Sequence, residues 1–211
     1  MLRSLSVVLL TILFFSFHDK EIYEVSPLAA YSAEWQKAEY MACNTGKNSN
    51  YFTTSEKEVL WILNMARINP PLFAETVLKK YPERSRRNHL VNVAEYKSLL
   101  STLEKTKQLP LLYPDSLGWV SAKCHAISSG LAGYVGHQRQ SSECNEKKRY
   151  SAECCDYGSS DPLDIIMDLV IDQGVPSLGH REALLGPYNR VGISIQPHKG
   201  YGTNTVLDFF F

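Results

Sequence analysis

Two histidines and two carboxylates offer the clearest prospect of chemistry in this sequence. His137 ends the segment GYVGH, just past a pair of glycines, and His180 sits in SLGHRE. An imidazole serves near neutral pH as a general base or a metal ligand, and a carboxylate beside it orients the ring. Glu153 and Asp172 are the carboxylates weighed for that role; two histidines with Glu153 would match the ligand count of a catalytic zinc site. The chain carries no H-E-x-x-H, so such ligands would have to converge from separate segments. Each residue also has a plain structural reading. Asp164, Asp168 and Asp172 recur every four residues, as on a solvated helix face, and Glu153 lies in a polar stretch expected at the surface. His125 is expected on a helix flank, His198 exposed before a turn, and Arg181 paired with a carboxylate. A serine nucleophile would be Ser177, Ser128 or Ser129, but no G-x-S-x-G elbow supports it.

The elements that must position these residues are legible around His180. Asp161 and Pro162 open a helix with Leu163, Ile166, Met167 and Val170 on its apolar face. Gly174 and Pro176 end it, a second short helix starts at His180, and residues 191–195 alternate as a half-buried strand. A last strand is predicted at residues 206–209. Upstream, Ser55 and Glu58 read as a capping box for a helix carrying Val59, Ile62, Leu63 and Ala66. Pro70 and Pro71 start another helix running to about residue 80. Residues 81–92 read as a basic, solvated loop, and Val93, Tyr96, Leu99, Leu100 and Leu103 mark a third helix. Pro114 and Asp115 open a fourth, in which Leu117, Val120, Cys124, Ile127 and Leu131 predict a buried row. Residues 138–160 read as a long polar connection. Helices followed by returning strands predict an α+β domain with helices packed on a sheet.

Composition bounds the rest. The 211 residues balance 22 Lys and Arg against 22 Asp and Glu, which excludes a global field for nucleic acid. Arg3 and the apolar run 4–17, halted by His18, Asp19 and Lys20, predict an export signal over residues 1–20, or an uncleaved N-terminal anchor as the only membrane link. The chain is therefore expected in the cell envelope or secreted. Residues 21–52 read as a linker or loose extension, and 53–211 as the domain. Export permits disulfides, and five cysteines leave at least one unpaired. Cys144 is expected to bond Cys154 or Cys155, closing a loop of about ten residues that stabilises by about 3 kcal/mol. Cys124, on the apolar row, is expected as a buried free thiol, and Cys43 is left unassigned.

The segments EVLWILNMARINPPLFA, LPLLYPDSLGWVSAKCHAISSGLAGYVGH, SAECCDYG, IDQGVPSLGHREALLGPYNRVGISI and VLDFF occur in an order that resembles the CAP superfamily. This is the group of cysteine-rich secretory proteins, antigen 5 and pathogenesis-related protein 1; the likeness is to its bacterial exported members and covers residues 53–211. The resemblance implies an α-β-α sandwich with a central antiparallel sheet, and a cleft holding two histidines and two acidic residues. Matched by motif, His137 and His180 are the histidines, with Glu153 and Asp172 as the acids. Glu153 stands between Ala152 and Cys154 where the family has Gly-Glu-Asn, and Asp172 is shorter than the usual glutamate. The resemblance also implies a divalent metal such as zinc on His137 and His180, a small apolar ligand, or an extracellular protein partner. It leaves three functions open: a binding module, a hydrolase using the same cleft with a metal or Ser177, and an interaction protein with a vestigial cleft.

Overall fold

The computed structural model describes residues 24–211; the apolar run 4–17 lies outside them. Residues 24–52 are not a loose linker. A 3-10 turn at Ala33–Gln36 and helix α1 (Ala38–Met41) bring Leu28, Trp35, Tyr40, Cys43 and Phe52 into the core. The Tyr40 carbonyl accepts from Trp61 Nε1 at 2.9 Å, tying the segment to α2 (Thr54–Ile68). The capping box of α2 is Thr53 with Glu56, two residues before the pair expected at Ser55 and Glu58. Glu56 wins because it points inward, 1% exposed, where its other oxygen accepts from the Ile195 backbone N–H at 2.9 Å.

Helix α3 (Pro70–Phe73) runs into a π-turn at Ala74–Leu78, and α4 (Tyr81–Arg84) and a 3-10 turn at Asn88–Asn92 occupy the basic stretch. That stretch is not simply solvated: Arg87 pairs with Asp168, and Tyr81 is buried and donates to Asp164 at 2.6 Å. Helix α5 (Ala94–Lys105) follows as predicted.

Then come β1 (Tyr113–Pro114), α6 (Ser116–Ala132), α7 (Ser142–Glu146), β2 (Ala152–Tyr157), α8 (Pro162–Ile171), α9 (Gly179–Leu184), β3 (Arg190–His198) and β4 (Gly202–Phe210). The long connection expected at 138–160 thus contains both α7 and β2. The fold is α+β. Its sheet is mixed, in the order β1-β3-β4-β2, because the two-residue edge strand β1 pairs with β3 in parallel while the other pairings are antiparallel. Val191, Ile193, Leu207, Phe209 and Cys154 face a large core shared with α2, α5 and α8. Cys155 and Val206 face α6 through Ala122 and Ala126. Strand β3 is therefore buried on both faces, with Ser194 at 0% exposure on the α6 side.

Helix α6 lies the other way round from its apolar row. Leu117 and Leu131 are 68% and 76% exposed, while Gly118, Ser121, Ala122, His125, Ala126, Ser129 and Gly130 are buried. A Cβ on Gly192 would lie 2.0 Å from the Gly118 carbonyl carbon, and one on Gly130 2.1 Å from the Pro197 oxygen. Backbone meets backbone here, so only the small-residue face of α6 can lie against the sheet. The inversion also moves the disulfide. Cys124, on the outer face, bonds Cys144 of α7, whereas Cys154 and Cys155, expected as partners of Cys144, point to opposite faces of β2 and remain free with Cys43.

Candidate functional site

Helix α8 ends at Asp172, which takes the left-handed conformation at φ 61°. The aspartate is buried, not on a solvated face. Its Oδ2 accepts from the backbone N–H of His180 at 2.9 Å and of Arg181 at 3.3 Å, so it caps α9 across the connecting loop, where Leu178 offers no capping side chain. Its Oδ1 lies 2.7 Å from His180 Nδ1. Arg181 locks the same corner. Rather than pairing with a carboxylate, its guanidinium donates to the Val170, Ile171 and Glu95 carbonyls and to Ser98. Carbonyls at the end of α8 thus gain a cation at the helix's negative pole.

His137 follows α6 and is half-exposed; its Nδ1 lies 2.9 Å from Glu153 Oε1 on β2. The Glu153 side chain is 2% exposed, with Arg139 Nη1 2.6 Å from its second oxygen. Glu153 faces Asp208 across the β2–β4 ladder, and Arg139 lies 3.6 Å from Asp208, which also accepts from Ser121 Oγ at 2.6 Å. Burial works to raise the Glu153 pKa, but His137, Asp208 and Arg139 together hold it below the usual carboxylate range. For Asp208 the balance reverses: burial and the Glu153 charge push it well up.

The two histidine–carboxylate pairs converge, with ring centroids 6.5 Å apart. A carboxylate only accepts, so each imidazole donates from Nδ1 and turns Nε2 free, as second-shell carboxylates do for metal-binding histidines. Here Glu153 and Asp172 orient the rings. His180 lines a cleft of about 570 Å³ together with Cys155, Asp156, Tyr157, Asp172 and Tyr201. Burial and the nearby charge of Asp168 push the Asp156 carboxyl up to about 7. Ser177, weighed as a nucleophile, is exposed and makes no hydrogen bond to either imidazole among the described residues.

The sequence reading missed a second grouping below His137. His125 is fully buried rather than on a flank, and an Nδ1/Nε2 atom of its ring, a Glu153 oxygen and Cys155 Sγ lie within 4.8 Å of one another. The signal was present in the small-residue face of α6, to which His125 belongs. His198 is also buried, not exposed: its Nδ1 accepts from the Gly200 and Tyr201 backbone, and its Nε2 lies 3.1 Å from the Tyr134 carbonyl. It serves the β3–β4 turn. No helix among the described residues is long and apolar enough to cross a membrane. No protein-family model, curated protein or solved structure matches this chain.

Proposed function

We propose that this chain is an exported binding module of the CAP type, an α-β-α sandwich whose cleft holds a divalent metal such as zinc on His137 and His180. One observation carries the reading. Two imidazoles from distant segments have their Nδ1 atoms engaged by carboxylates and their rings 6.5 Å apart. Neutral imidazole nitrogen is a donor zinc accepts, and two histidines would leave two of its usual four positions for water or ligand oxygen. A bound cation would supply a Lewis-acid centre for an oxygen of a small ligand in the adjoining cleft. Export rests on Arg3 and the apolar run 4–17, and the Cys124–Cys144 bond is at home in an oxidising compartment.

Zinc calorimetry on the wild type, His137→Ala and His180→Ala tests the reading. Each substitution is expected to remove one equivalent of zinc from the wild-type stoichiometry. Equal stoichiometry in all three proteins would contradict it.

A further inference from the structure

The group under His137 differs in character from the cleft pair. His125 Nε2 lies 2.9 Å from the Gly136 carbonyl oxygen, which can only accept. The proton therefore sits on Nε2, and Nδ1 is left as a lone pair. That nitrogen is sealed from solvent and has no hydrogen-bond partner among the described residues. An unanswered buried acceptor costs about 1–3 kcal/mol, and a ring nitrogen of the same histidine lies within 4.8 Å of a carboxylate oxygen and a thiol, so this corner calls for an occupant.

We propose that His125 Nδ1, Glu153 and Cys155 Sγ form a second metal site, which adjoins the cleft pair by sharing Glu153 with His137 and is selective for a zinc-class cation. The donors are one nitrogen, one oxygen and one sulfur, mutually within 4.8 Å. Thiolate and imidazole together favour zinc-class ions over magnesium or calcium, which take oxygen ligands. Gly136 holds the His125 tautomer, and Arg139 braces Glu153. Cys155 lines the 570 Å³ cleft, which gives the ion a way in. On binding, the Cys155 S–H bond breaks, a sulfur–metal bond forms, and the proton leaves to solvent.

Cobalt(II) titration of the purified, oxidised chain tests this by a signature that only sulfur ligation produces. The wild type should develop a thiolate-to-cobalt charge-transfer band in the near ultraviolet. His180→Ala, which dismantles the cleft pair, should keep the band, and Cys155→Ser should lose it. His125→Gln, which retains a donor for Gly136 but no imidazole lone pair, should weaken cobalt binding by at least the roughly 10–100-fold that loss of a ligand's outer hydrogen-bond partner costs. Circular dichroism checks that each variant folds. If Cys155→Ser does not fold, mass mapping of alkylated wild type should show Cys155 protected by zinc and exposed again by chelator. Absence of the band in the wild type, its survival in Cys155→Ser, or equal alkylation with and without zinc overturns the proposal. Loss of cleft binding with the band intact would overturn only the proposed function.

Discussion

At the scale of single residues, the carboxylates divide by what surrounds them. Asp172 and Glu153 accept from imidazoles, and Asp168 is held by Arg87 and Ser159, but one oxygen of the buried Asp156 has no partner among the described residues. Burial, then the Asp168 charge, raises its folded pKa to about 7 from 3.8. The unfolded chain ionises freely above about pH 4, whereas the folded chain resists until about pH 7. The stability Asp156 contributes is therefore complete below about pH 4 and lost as the pH rises through about 7, by up to about 4 kcal/mol. Urea unfolding of Asp156→Asn should show that decline flattened relative to the wild type; parallel profiles would contradict the assignment. Residue types alone left His137, Glu153, Asp172 and His180 as dispersed candidates, and ordered motifs were needed to group them. Glu153 resisted because its strand is short and polar, and Asp172 because its four-residue spacing imitates a solvated face. His125 and Cys155 stay hidden because apolar spacing turns the wrong face of α6 inward, and the polar run 138–160 gives no strand period around Cys155.

At the scale of elements, α6 decides the geometry. Its buried face is made of glycine, serine and alanine, with His125 the exception in size, and it approaches β3 until Gly118 and Gly192 touch. A periodicity weighted by side-chain size points to Leu117 and Leu131 and so selects the wrong side. Close approach rewards the absence of a side chain, and hydropathy does not register that. Two substitutions separate the readings. Gly192→Ala places a Cβ against α6 backbone and should destabilise by about 3 kcal/mol. Leu131→Ala should change unfolding free energy by no more than about 0.5 kcal/mol, because the leucine is 76% exposed. A buried row would require the leucine truncation to cost about 2–5 kcal/mol. The pattern around His180 was easier to read. Asp161, Pro162 and the apolar spacing of α8 are ordinary helix signals, and β3 and β4 alternate as strands do.

At the scale of the molecule, the sheet separates a large helical core from α6, and the candidate site lies where elements from both sides meet. His137 and Glu153 come from the α6–α7 connection and β2; Asp172 and His180 come from the α8–α9 corner. Buried Arg67 secures the connection from α9 to β3 by donating to the Leu184, Gly186 and Tyr188 carbonyls. Residues 24–52 complete the core, a role their mixed composition concealed, since Trp35 and Leu28 are spaced without helical or strand period. The central claim is that these separate segments bring two imidazoles to one site with both Nε2 atoms free. Long-range ¹H–¹⁵N spectra of the imidazoles at about pH 8, with and without zinc, test it most directly. The account predicts that His137 and His180 both carry the proton on Nδ1, and that both Nε2 resonances shift together on zinc addition. An Nε2-protonated tautomer in either ring, or a zinc response from only one of them, would contradict it.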